Sequence, residues 1–384
     1  MRFLSARIGP DQRPLEKLNS FRQEVTMLQR LAYVFLIVIS ICYVESPLAL
    51  MAQSKGEGQR LSNEARQLEQ KDKTKAGQKK AVQQYEEALK AIRKEANLKL
   101  EAVTLNNLGF IYQALGDNSN ALRSFENSLE IARKTGNTKQ EGRGLNGLSG
   151  VYRLQGEYQK AVDNAKKALD IGAKEGNIPV EAAAFNVLGL VYSDTKKYQM
   201  AVDYFEKYLE LAKKSNNAYQ ERLGYNNIGA AFSHLGEYQK AVDNYQKALE
   251  LARKQGDPRQ EALILDNIGL SYLRLGQYEK ALEFHNNALA TSRRAGAREF
   301  EGLALDHIGR VNAALKQYEQ AARFYQEALA IDKQVGNLLA ERDTLNDMGN
   351  LYKQWGEQPK AQQYFDQARE ITRKLESGKS KGKP

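Results

Sequence analysis

The chain has 384 residues, with 57 Lys and Arg against 47 Asp and Glu for a formal net charge of +10, three histidines and a single cysteine. One cysteine excludes a disulfide framework and a cysteine-based zinc site. The basic excess is compatible with an anionic lipid, polysaccharide or nucleic acid partner, and says nothing about fold.

Residues 1–52 read as an N-terminal extension. Arg30 precedes an uninterrupted apolar run from Leu31 to Val44, followed by Glu45 and then Leu48 to Ala52. A basic flank, a short apolar run and small residues downstream are the parts of a secretory signal peptide. The run is shorter than the roughly 20 residues that span a bilayer, but Leu48 to Ala52 lengthen it. A cleaved signal with a mature start near Gln53 and an uncleaved membrane anchor are therefore the two alternatives, and both take the remaining chain across, or tie it to, the cytoplasmic membrane. Met27 is an alternative start. Cys42 lies inside the run, so a chain beginning near Gln53 has no cysteine.

Residues 55–98 form a degenerate opening repeat. Ala65 and Leu68 hold a helical register, Glu69 and Asp72 stand where later repeats have glycine and tyrosine, and a second stripe follows in Ala81, Tyr85, Ala88 and Leu89. From there the sequence is strictly periodic. Alanine recurs every forty residues from Ala81 to Ala361, and glutamate from Glu101 to Glu341. Two apolar columns run between them, one through Leu105, Leu145, Phe185, Tyr225, Leu265, Leu305 and Leu345, the other from Leu108 to Met348. Such a period marks a stack of repeats, so the array from 53 to 376 is expected to be one solenoid.

Within the repeat 217–256, Tyr225, Ile228, Gly229 and Phe232 share one face of a helix predicted over about 219–235. Gly236 ends it, and Tyr238, Ala241, Tyr245, Ala248 and Leu249 form the second helix, closing near Gly256. Gly256 suits a left-handed C-cap and Asp257-Pro258 the next helix start. Several repeats depart from this pattern. Ser149 replaces the glycine of the first helix, Ala165 and His285 the aromatic of the second, Lys196 and Lys316 the turn glycine, and Asn312 an aromatic, which makes the sixth repeat the least regular. Residues 377–384 form a basic tail with too few apolar residues to fold.

The recurring Leu-x-x-Leu-Gly-x-x-Tyr, followed by Gly-x-Tyr-x-x-Ala-x-x-x-Tyr-x-x-Ala-Leu, resembles the tetratricopeptide repeat in its forty-residue form, as in kinesin light chains, Pins-type scaffolds and cyanobacterial arrays. Some of those arrays precede a caspase-like CHAT peptidase, whose active site has no counterpart here. The resemblance implies an all-α, right-handed α-solenoid of about seven helix-turn-helix repeats behind the opening one, and a binding scaffold without cofactor, metal or catalysis.

Chemistry-bearing motifs are sparse. His234, His285 and His307 show no metal-ligand spacing, the glycines are accounted for by helix contacts, turns and caps, and a histidine such as His285 in an array column reads as packing. What remains is a surface. At 100° per residue Asn226 lies about 130° from the centre of the stripe of Tyr225, Ile228 and Phe232. Its column is Asn106, Asn146, Asn186, Asn226, Asp266, Asp306 and Asn346. In the resembled family this face lines a concave groove, where asparagines grip the backbone of a bound peptide. Two readings stay open for the column: that grip, or bonds between adjacent helices that hold the array together. Variable neighbours, among them Leu190, Leu270, Leu273, Arg153 and Arg310, would then give specificity.

The expected partner is a protein or peptide, with membrane contact through the N-terminal segment if it is uncleaved. The lysines near 71–80 and 374–383 lack interleaved aromatics for base stacking, so nucleic acid is not expected. An assembly role, through the convex face and basic ends on a membrane or anionic polymer, is the alternative.

Overall fold

The computed structural model describes residues 56–380. The apolar run 31–44, Cys42, the alternative start at Met27 and the last residues, 381–384, lie outside the described residues. Those described form sixteen helices: α1 (Glu57–Lys71), α2 (Lys75–Lys94), α3 (Leu98–Ala114), α4 (Asn118–Lys134), α5 (Thr138–Leu154), α6 (Tyr158–Glu175), α7 (Ile178–Asp194), α8 (Tyr198–Lys214), α9 (Ala218–Leu235), α10 (Tyr238–Lys254), α11 (Pro258–Arg274), α12 (Tyr278–Arg294), α13 (Arg298–Ala314), α14 (Tyr318–Val335), α15 (Leu338–Trp355) and α16 (Gln358–Ser380). Odd-numbered helices are the A helices of successive repeats and even-numbered ones the B helices. Among the described residues no helix is long and apolar enough to cross a membrane.

Local chemistry sets the boundaries. Asn97, Asn137, Asn177, Asn217, Asp257 and Asn337 each accept a hydrogen bond on Oδ1 from the amide three residues on, capping α3, α5, α7, α9, α11 and α15. α13 starts at Ala297, which offers no such bond. A residue with positive φ closes the turns, for example Gly236 at 81° and Gly256 at 63°. Lys196 and Lys316, each at 61°, keep the left-handed conformation without glycine, at a cost of about 1–2 kcal/mol each. α16 continues through Ser380, past the end expected at 376. Its one proline, Pro359, stands in the first turn, where it does not break the helix.

Each A helix lies across its B helix through one close contact. A Cβ on Gly109 would come within 2.5 Å of the Phe125 ring, and the same holds for Gly189 on Phe205 at 2.5 Å, Gly229 on Tyr245 at 2.8 Å, Gly309 on Tyr325 at 2.8 Å and Gly349 on Phe365 at 2.5 Å. The second repeat reverses the sizes. There Ser149 replaces the glycine and Ala165 the ring, and Ser149 Oγ donates to the Ala161 carbonyl at 2.6 Å. Two departures that look unrelated in sequence are thus one exchange of volume across a contact.

The glutamate column ties B helices to the A helices that follow. Glu101, Glu141, Glu261 and Glu301 accept from Nε of Arg93, Arg133, Arg253 and Arg293 at 2.7–2.9 Å. The chain divides into two compact units, one ending at Val187 and the other beginning at Leu188. Each is described by itself below.

Candidate functional site on the inner faces of the A helices

A helices of successive repeats touch one another: α3 and α5 in the first unit, α11 and α13, and α13 and α15, in the second. The asparagine column is largely buried, and its residues meet the neighbouring A helix and, at Asp266, the B helix α12 as well.

In the first unit Asn106, Asn146 and Asn186 are 0%, 1% and 2% exposed. Asn106 Nδ2 donates to the Gln140 carbonyl at 3.1 Å and to Gln140 Oε1 at 3.0 Å. Asn146 Nδ2 donates to the Val180 carbonyl at 3.0 Å. Both acceptors sit in the first turn of the next A helix, so the donor half of each amide is engaged in joining repeats. Beside it Arg143 donates to Asn107 Oδ1 at 3.0 Å and lies over the Phe110 ring. Arg153 is buried. For Asn106 and Asn146 the structure therefore selects the second reading, bonds between adjacent helices. The expected open groove at these positions is filled by the neighbouring A helix.

In the second unit Asn226, Asp266 and Asp306 are likewise buried, and Asn346 half-buried. Leu190 is buried, whereas Leu270, Leu273 and Ala313 remain partly exposed. The change from Asn to Asp at 266 and 306 has a chemical consequence, because a carboxylate has no proton to donate to a backbone carbonyl and must instead be given donors. Asp266 receives two histidines. His285 Nδ1, from α12, lies 2.7 Å from Oδ1, and His307 Nδ1, from α13, lies 2.8 Å from Oδ2 and 3.0 Å from Oδ1. The two imidazole centroids are 5.2 Å apart. Asp306 receives Arg310 Nε at 2.8 Å, one helical turn along, and the same guanidinium reaches Asp347 Oδ2 on α15 at 2.7 Å.

Burial would raise the Asp266 carboxyl, but the two histidines facing it hold it below the usual carboxylate range. Burial lowers His307 to about 4 against the pull of Asp266. At neutral pH the carboxylate is thus charged and His307 neutral, donating from Nδ1. Burial raises Asp306 and Asp347, and Arg310 opposes it at both. Asp332, on α14, accepts from Thr344 Oγ1 at 2.9 Å and is pushed up to about 7 by burial.

The sequence reading missed this cluster, because His285 and His307 meet only when three helices are stacked in register. A signal was nonetheless present: the column turns from Asn to Asp in the same repeat that places His285 where others have an aromatic ring.

Comparison with known proteins agrees with this architecture. The sequence model of the tetratricopeptide repeat matches residues 100–174, 140–214, 220–294 and 300–374. No curated protein matches the sequence. Among solved structures, the apo form of RapI superposes with a TM-score of 0.59 at 16% identity, covering 72% of this chain and 99% of that one. A Rap protein complexed with competence and sporulation factor gives 0.58 at 16%, covering 92% and 99%. The apo quorum sensor NprR from B. thuringiensis gives 0.61 at 13%, covering 82% and 87%.

Proposed function

Since the chain belongs to the tetratricopeptide-repeat family, we propose that it is a protein-interaction scaffold that takes an extended peptide or partner segment along the inner face of α11 and α13. One observation carries this reading. Leu270, Leu273 and Ala313 stay partly exposed on a wall whose backing residues, Asp266 and Asp306, are buried and held by two imidazoles and by an ion pair with Arg310 respectively. Apolar side chains of a partner would seat on the leucines, with Arg310 and Asp347 beside them for its polar groups. That one Rap structure is complexed with competence and sporulation factor supports binding of a partner as a use of such an array.

We further propose that the segment 31–52 is an export signal or anchor, which would take this activity across or to the cytoplasmic membrane. Cell fractionation with sequencing of the mature N-terminus tests that part, and a soluble cytoplasmic protein retaining residues 31–52 would end it. The binding reading is tested by capture from an envelope extract, followed by affinity measurement on the identified segment. Replacing Leu270 and Leu273 together by Asp should weaken binding about 10- to 100-fold per folded molecule; Leu273 also packs against the apolar core, so the melting temperature should fall too and affinity is measured on the folded fraction. Equal affinity in that variant would refute the inner-face site.

A further inference from the structure

We propose that Asp266, His285 and His307 form a binding site for one divalent transition-metal ion of the zinc type, which pins the fifth and sixth repeats together.

The ligand atoms come from α11, α12 and α13 and lie within 4.8 Å of one another, with all three side chains buried. Two imidazoles and a carboxylate are a donor set for zinc, cobalt, nickel or copper, and a poor one for magnesium or calcium, which take oxygen ligands. Both Nδ1 atoms already aim at the carboxylate, as their distances of 2.7 and 2.8 Å show. An ion about 2.0–2.2 Å from each ligand atom sets ligand atoms roughly 3.3 Å apart, so the two nitrogen–oxygen pairs open by about half an ångström and the wider spacing within the 4.8 Å cluster closes toward the same value. The ion takes the place between nitrogen and oxygen, each neutral imidazole keeping its one proton by shifting it from Nδ1 to Nε2, and the second Asp266 oxygen can occupy a further coordination position.

Packing alone gives no reason for this set. At 285 the ring lies on Gly269, where an added Cβ would be 2.7 Å from it. Phe125, Phe205, Tyr245, Tyr325 and Phe365 fill the equivalent place in other repeats. A buried imidazole there costs desolvation that a phenyl ring does not. His285 Nε2 is indeed buried without a hydrogen-bond partner, so that cost is not recovered by a second bond on the ring. At 307 the corresponding residues are Asn107, Gly147, Val187, Asn227, Asn267 and Asp347. Three departures from the array therefore converge on one point. The neighbouring Arg310 does not leave a bare positive charge beside the ion, since it is paired with Asp306 and Asp347.

The test uses the full chain, stripped with a chelator and titrated with zinc(II) by calorimetry. One ion per chain should bind, the melting temperature should rise by several degrees, and cobalt(II) should give the visible absorption of a low-symmetry nitrogen and oxygen site. The double variant Asp266→Asn and His285→Phe introduces residues that other repeats carry at these places. The single variant His307→Asn does the same at its position. Both should bind zinc on the order of 100-fold more weakly and lose the thermal shift. His234→Gln, which removes the one other histidine, should leave binding intact. Absence of binding and of a cobalt spectrum in the wild-type chain would overturn the proposal, and so would an equal zinc-induced shift in wild type and His307→Asn. The cobalt spectrum and His307→Asn keep the test decisive if the double variant does not fold.

Discussion

The first two full repeats and the fifth and sixth join their A helices through the same column with opposite chemistry. In the former an amide donates across the gap to a backbone carbonyl, as Asn106 does to Gln140 and Asn146 to Val180. In the latter a carboxylate stands in that place and draws donors to itself, from His285 and His307 at 266 and from Arg310 at 306. The neutral version is self-contained. The charged version works only as a set, so each member is exposed to the loss of the others, and a repeat array can thereby carry a localised polar site without changing its backbone.

The comparison can be broken most severely at Arg310. Its replacement by Ala leaves Asp306 and Asp347 buried without their cation, and should lower the unfolding free energy by about 3–5 kcal/mol in chemical denaturation. Changing Asp306 to Asn alongside Arg310→Leu should restore much of it. A loss under about 1 kcal/mol in the single variant would mean the pair is solvated.

Converting the neutral version into the charged one is the reciprocal test. Asn146→Asp points a carboxylate at the Val180 carbonyl with no histidine in reach, because Ala165 and Val187 stand, relative to residue 146, where His285 and His307 stand relative to Asp266. This should cost about 3 kcal/mol. Asn146→Ala removes only the bond and should cost about 1–2 kcal/mol. A carboxylate tolerated better than alanine would show that the column does not need donors.

Acid and base should also separate the two regions. Asp332 has an ordinary carboxyl value of 3.8 and is raised to about 7 in the fold. Between those values the native state holds the extra proton, so stability falls as pH rises from about 4 to about 7 and is level above. From pH 5 to 7 the decline should be about 2–3 kcal/mol, and Asp332→Asn should flatten it. The smallest effect concerns helix starts. Asn97→Ala should cost about 1 kcal/mol by removing the cap of α3, measured as a small drop in melting temperature.

The fold was almost wholly legible. A helix expected over about 219–235 is observed at Ala218–Leu235, and the turn glycines fall in left-handed conformations, because period, glycine and cap residues are all local signals. The site was less so. A helical angle can set Asn226 apart from the apolar stripe, but apart from the stripe is not the same as open to solvent, and Asn226 is buried. In a stack, an A helix has its B helix on one side and the next A helix on another, and both reach the column, as His285 of α12 and His307 of α13 do at Asp266. Residue spacing within one helix carries no information about it. Nor does it reveal Asp266, His285 and His307, whose contacts span 19 and 41 residues.

The exchange at Ser149 and Ala165 bears on how such a gene can be rearranged. Recombination between near-identical repeats that swaps a whole helix pair keeps each small residue facing its large one. A crossover falling in the loop between α5 and α6 would set Ser149 against a phenylalanine or tyrosine, or a glycine against Ala165. The first product is jammed and the second hollow. The heritable module of this array is therefore the hairpin of two helices, and the short turn inside it is where shuffling should be purged.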